Sequence, residues 1–394
     1  MPTADEEQEP SAVPAYENWI AAQEGEELRG TAEIDLFTDA HITGAIERRE
    51  AHPDLGPYQI LNVIGGRPKY GEARRRMVLR MDDHSGAYFY PDGGALGEET
   101  DASTYHGGSL ADEIAALLSL RLGIRVRAGT ISRTFDPKGS PKGQPEHLFP
   151  DEEPELQQSR LGAVLPEIAD KVSLQDAAQM EALPQLEPGA TIPLIRAARM
   201  YQEAVWRVDA EPELAWLLLV SAAETAADYE YADEPDAVEL LWDRKEGLAE
   251  RLDEWGGQDA VEAIADEFAM QMQGTKKFID FFLDYKPDEP KERPPDESGA
   301  HIRWSNNGFR ENMSQIYGYR SEALHAGKPF PAPMCRPPAL AGQWDALPET
   351  MVAFASGVGD SVWQAEDIPM YLHTFEYIVR GALNQWWEEL PTAD

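Results

Sequence analysis

The chain has 394 residues and 42% hydrophobic content, enough for a sizeable core and long enough for two domains. Its 72 acidic residues against 34 lysines and arginines give a formal net charge of −38, which excludes a broad basic face able to displace counterions along duplex DNA. One cysteine, Cys335, excludes an internal disulfide and a cysteine-based zinc site.

The first 30 or so residues read as an acidic leader, with a short helix over residues 16–22 and no signal-peptide pattern. The pattern turns strand-like at Tyr58 in YQILNVIGG, which Gly65-Gly66 closes. Residues 74–83 and 85–94 predict two further strands, the second ending in a Pro-Asp-Gly-Gly turn. Residues 110–122 have helical spacing, and residues 124–135 read as a strand or a pair of strands. Residues 1–150 are therefore expected to form a small α+β domain, locally more basic than the rest of this acidic chain through Arg74, Arg75, Arg76, Arg80, Arg121, Arg125, Arg127 and Arg133. Residues 151–190 are expected to link it to a helical domain over 191–394.

In that second part helices are predicted over 192–209, 213–229, 237–255 and 259–285, the last breaking near Gly274. A charged, proline-rich excursion (286–300) precedes a helix over 307–326 that Gly327 stops. An irregular stretch over 329–348 and a final helix from about Pro369 complete an all-α helical bundle. The longest apolar run, residues 214–223, is too short for a membrane span, so a cytoplasmic protein with no membrane partner is expected.

The helix containing NMSQIYGYRSEALHAGKPF should turn Met313, Ile316, Tyr317 and Leu324 towards the bundle. Arg320 and His325 on it lie about 140° apart around an ideal helix, so they flank a groove rather than stack. They converge only if the arginine reaches across or a second copy of the helix completes the site. Glu224 interrupts the apolar helix of WLLLVSAAETAADY, where a carboxylate is costly to bury unpaired. Arg320 is its obvious partner. Histidine titrates near neutrality and can move a proton, whereas a guanidinium can clamp a phosphate through two oxygens. That chemistry suits RNA, which carries its own 2′-hydroxyl nucleophile.

WLLLVSAAETAADY, followed some ninety residues later by YGYRSEALHAGKPF, resembles the Apea-like branch of the HEPN domains over roughly residues 195–390. The resemblance puts Glu224, Arg320 and His325 at the family's glutamate, arginine and histidine; Ser321 stands where many members carry Asn or Asp. It implies a HEPN-like bundle and a metal-independent endoribonuclease leaving a 2′,3′-cyclic phosphate, often as a homodimer. It also implies a toxin–antitoxin or antiviral defence role, with an antitoxin or another defence component as partner. The alternative is a non-catalytic HEPN-like dimerisation or partner-binding module.

Tyr319, Ser321, Lys276 and Lys277 are further candidates for contacting RNA. Tyr317 and Tyr319 could stack on a base, although aromatic residues on a bundle helix more often serve the core. No histidine pair has HExxH or similar spacing, so neither a metal nor another cofactor is expected.

Overall fold

A computed structural model of the chain describes residues 12–43, 55–61, 69–86, 102–139, 143–149, 153–159, 161–168, 171–232, 237–338, 346–352 and 355–393. The chain divides into two compact units, one running to Leu218 and regaining the chain from Trp387, the other Leu219–Trp386. The first mixes helix and strand; the second is more helical.

In the first unit α1 (Pro14–Glu24) starts on a proline, whose missing N–H is no loss there, and ends on Gly25 in the left-handed region, φ 81°. The strands are β1 (Gly30–Thr38), β2 (His41–Thr43), β3 (Tyr58–Leu61) and β4 (Arg74–Asp83). Next come α2 (Leu110–Leu122), β5 (Arg127–Phe135), β6 (His147–Leu148), β7 (Lys171–Ser173) and α3 (Pro188–Arg207). Five strands form one sheet in the order β3-β4-β1-β5-β6, while β2 pairs in parallel with β7. The strand expected over 85–94 and the Gly65-Gly66 turn fall largely or wholly outside the described residues.

The central strand, β1, lies where the sequence pattern predicts none. Its Ala32, Ile34 and Leu36 are fully buried beside Met81, Leu79 and Met77 of β4. The intervening Glu33 and Asp35 make the segment look solvated, yet both are buried. Glu33 sits opposite Arg80 and Arg133 across its two neighbouring strands, at 2.5 and 2.6 Å. Arg75 reaches Asp35 at 3.2 Å. Opposite-charge pairs across a ladder let β1 carry carboxylates at the centre of a sheet.

Ser109 and Asp112 cap α2 reciprocally, and Gly123 (φ 63°) ends it. Its apolar residues run nearly all the way round because the helix is buried, packing on α3 and β5. Residues 171–187, expected within a linker, contribute β7 and a 3₁₀ stretch that buries Leu174, Ala177, Met180 and Leu183. α3 also belongs to this unit, not to the helical one.

Arg125 lies at the heart of the first unit with 1% of its side chain exposed. It reaches Asp39 and Asp209, both at 2.7 Å, donates to the Val205 carbonyl at 2.8 Å and to Tyr70 at 3.1 Å. Burial alone would lower its pKa, but Asp39, Tyr70 and Asp209 together push it up. Burial raises the Tyr70 phenol, against Arg125 and with Asp209.

α4 (Pro212–Glu230) runs from the first unit into the second, which contains α5 (Ala237–Asp284) and α6 (Asn306–Ala326). Then follow β8 (Ala355–Val358), β9 (Ser361–Gln364) and α7 (Leu372–Glu389), whose end re-enters the first unit. The antiparallel β8–β9 hairpin corrects the expectation of an entirely helical C-terminal part. α5 leaves helical geometry at Lys245 and at Gly257 (φ 65°), the latter where the sequence places a stop, but stays helical through Gly274. Phe278, Phe281, Phe282, Phe309 and Phe375 are fully buried in this unit. The excursion after α5 is pinned by Arg293, which grips the buried Glu349 at 2.6 and 2.8 Å and the Ile302 carbonyl at 2.9 Å. No described helix is long and apolar enough to cross a membrane.

Replacing Arg125 by Met leaves two buried carboxylates without a counter-charge. The expected loss is about 3–5 kcal/mol in the first unit, read as faster amide hydrogen exchange in β1 and β5 under native conditions. Unchanged protection there would refute the assignment.

Candidate functional site

α4, α5 and α6 meet around one ion pair. Arg320 on α6 donates from Nη2 to Glu224 Oε2 on α4 at 2.7 Å, with 21% and 17% of the two side chains exposed. The pair lies beside a second, longer contact between α4 and α5, Asp228 with Lys277 at 3.8 Å. Tyr317, one helical turn before Arg320 and so on the same side of α6, lies beneath the guanidinium with its ring centre 5.5 Å from Cζ. Its hydroxyl hydrogen-bonds to Glu224. The ring leans on Phe278 of α5 at 5.1 Å, and Gly274 lies one turn before Phe278. A Cβ at Gly274 would stand 2.8 Å from the Tyr317 oxygen. Glycine costs a helix about 1 kcal/mol relative to alanine, so the space it leaves for this hydroxyl gives the residue a physical reason.

Burial raises the Glu224 pKa despite the opposing pull of Arg320 and Tyr317, and Asp228 adds to the rise. Burial and the adjacent Glu224 push Tyr317 up to about 12. Of the five N–H donors of a guanidinium, Arg320 uses one on Glu224, and its buried Nε has no hydrogen-bond partner among the described residues.

His325 is not part of this cluster. It sits exposed in the last turn of α6 and makes no side-chain hydrogen bond or ion pair among the described residues. Met313 and Ile316 are buried as the helical spacing requires, and Tyr317 is partly so. Leu324, expected to face the bundle, is instead 53% exposed beside His325 in the last turn of α6.

The remaining candidates are largely engaged. The Tyr319 hydroxyl donates to the Asp367 carbonyl at 2.7 Å and accepts from Gln315 at 3.0 Å, tying α6 to the segment after β9. Lys276 bonds Asp280 at 2.6 Å, and Lys277 faces Asp228 at 3.8 Å. Ser321 is half-buried next to Arg320. Of the eight arginines that set the first 150 residues apart from the more acidic remainder, seven are ion-paired: Arg74 to Glu153, Arg75 to Asp35, Arg80 and Arg133 to Glu33, Arg121 to Glu388, Arg125 to two aspartates and Arg127 to Glu203. No group of three or more metal-ligating side chains occurs among the described residues.

Sequence reading considered Tyr317 only as a base-stacking or core residue, not as a partner of the Glu224–Arg320 pair, and did not assign Gly274 to the site. The i, i+3 spacing to Arg320 was a usable signal for the tyrosine, whereas nothing local links Gly274 to it. No family model matches the chain, and neither the curated proteins nor the solved structures yield a match. The chemistry of the site therefore rests on its own residues.

Gly274→Ala is expected to destabilise the protein by about 1–3 kcal/mol through overpacking, despite the better helix propensity of alanine. In a Tyr317→Phe background the same change should become neutral or stabilising, by up to about 1 kcal/mol. Additive effects in urea unfolding would show that the two residues do not meet. A raised Glu224 pKa means that the native state holds this proton more tightly than the unfolded chain. Its contribution is fully present below the ordinary glutamate range and is lost as pH rises through the folded value. Wild type should therefore gain stability relative to Glu224→Gln on acidification from neutral pH, and a wild type that instead loses stability relative to the variant would contradict the shift.

Proposed function

We propose that the second unit is a metal-independent endoribonuclease with Arg320 as its phosphate clamp and His325 as its proton-transfer group. The observation that carries this reading is the Glu224–Arg320 pair at 2.7 Å, which holds a part-exposed guanidinium with unused donors on the helix that bears an exposed histidine. In the proposed reaction His325 removes the 2′-hydroxyl proton and the 2′-oxygen forms a bond to phosphorus. The 5′-oxygen departs and takes a proton from water, leaving a 2′,3′-cyclic phosphate and a 5′-hydroxyl. Arg320 binds the non-bridging oxygens as charge accumulates on them, and Glu224 orients it. The buried carboxylate also opposes phosphate entry, so binding must displace Glu224 from one guanidinium edge or protonate it.

Five residues on a helix separate two positions by about 7.5 Å along the axis and about 140° around it. His325 and Arg320 of one copy therefore do not converge without a long reach. A homodimer that sets two α6 ends side by side removes that obstacle, and exposed Leu324 supplies apolar surface at that end. The accompanying biological role is toxin or antiviral defence. A second reading, a HEPN-like module that binds a partner without turnover, is favoured by the separation of His325 from the ion pair.

Purified protein is expected to cleave single-stranded RNA in EDTA and to leave DNA of the same sequence intact. His325→Ala should reduce the rate about 10²–10⁴-fold, and Arg320→Ala should impair it severely. Cleavage unchanged in His325→Ala, or strictly dependent on Mg²⁺, would defeat the assignment. RNA binding without cleavage, or loss of a dimer on Leu324→Glu with no nuclease activity in either form, would favour the non-catalytic module.

A further inference from the structure

The helical arms on either side of Gly257 form a small structure of their own. Leu241, Ala249, Val261 and Ala265 are buried in one cluster, with Val238, Leu252 and Ile264 packed against it. In a straight helix Leu241 and Val261 would be about 30 Å apart, so the shared cluster requires the chain to fold back between them, where Lys245 and Gly257 (φ 65°) both leave helical geometry. The arm before Gly257 has more apolar surface than the arm after it covers. Leu248 and Trp255 lie seven residues apart, on the flank of the stripe that carries Leu252, and are 39% and 85% exposed. Trp242, 38% exposed, lies on the other side of the Lys245 kink and is not part of that flank. A tryptophan as open as Trp255 contributes nothing to the hairpin core, and a large aromatic side chain is costly to leave in water.

We propose that this hairpin is a docking surface for a basic, amphipathic segment of a partner protein, with Trp255 as its anchor. Charge selects the occupant. Residues 237–265 hold eight carboxylates and three cations, and near Trp255 the exposed Glu250, Asp253, Glu254 and Asp259 outnumber one exposed cation, Arg251, a helical turn before it. An RNA or an anionic lipid surface brings further negative charge to that rim and is repelled. A second copy in a two-fold contact would set the same net-negative face against itself. A cationic segment with an apolar face neutralises the rim and covers the indole, and interface energy concentrates on such a central aromatic inside a polar rim. This surface is independent of the Arg320 site and of the reaction proposed for it.

The test uses the full chain and a labelled 15-residue peptide of leucine and lysine at helical spacing, with an oligolysine of equal charge as control. The amphipathic peptide is expected to bind, by fluorescence anisotropy, more tightly than oligolysine. Trp255→Ala should weaken that binding about thirtyfold, Leu248→Ala should weaken it less, and Trp255→Phe should largely retain it. Oligolysine should not distinguish the variants. Since Trp255 is exposed, its replacement is not expected to disturb folding, which circular dichroism checks. Equal peptide affinity in wild type and Trp255→Ala would overturn the proposal by reducing the effect to bulk charge. So would a wild-type dimer that Trp255→Ala dissociates, or Trp255-dependent binding of single-stranded RNA or phosphatidylserine vesicles.

Discussion

A guanidinium can be taken out of water only if carboxylates and carbonyls replace its hydration, and Arg125 is the point at which the first unit meets that condition. Asp39 follows the central strand, Val205 and Asp209 lie at the end of α3, and Tyr70 precedes β4. One side chain thus ties the sheet to the helix that packs over it. Asp209 also receives the Val164 amide at 2.9 Å, and Asp39 receives the Gly71 amide at 2.9 Å, so the loops are held by the same carboxylates. With 34 cations among 72 anions, each buried arginine draws on a surplus of possible partners, and the fold selects which ones it meets.

The second unit uses the same constraint twice. Arg293 and Glu349 convert a charged, proline-rich excursion into an ordered strap, helped by the Trp304 indole donating to the Pro287 carbonyl at 3.1 Å. Arg320 and Glu224 join α6 to α4 in the seam next to α5. The two pairs differ in what surrounds them. Glu349 also accepts the Ile302 amide and is filled by structural bonds, whereas Arg320 retains unused donors and part of its surface.

Much of this was legible in local sequence. The bounds of β4 and α2 follow from residues 74–83 and 110–122, because an alternating or capped apolar pattern is a local property. Glu224 and Arg320 were likewise identifiable as a pair, since a carboxylate in a small apolar helix requires a cation from elsewhere. β1 was not legible. Glu33 and Asp35 carry no mark of the arginines that will face them, and those arginines come from strands roughly fifty and one hundred residues away. The ion pairs of the arginines in the first 150 residues were not legible for the same reason, because charge counting does not say which carboxylate each one meets.

What the sequence by itself determined are the properties that depend on a residue and its near neighbours. These are the acidic balance, the helix breaks at Gly257 and Gly327, and the presence of Arg320 and His325 on one helix. Tertiary structure alone decided which carboxylate each buried guanidinium meets, that Gly274 leaves room for the Tyr317 hydroxyl, and that Leu324 and Trp255 remain in water. The physical reason is that exposure and ion pairing are set by surfaces brought together from distant parts of the chain. A helical period can say which face a residue occupies, but not whether another element will arrive to cover it.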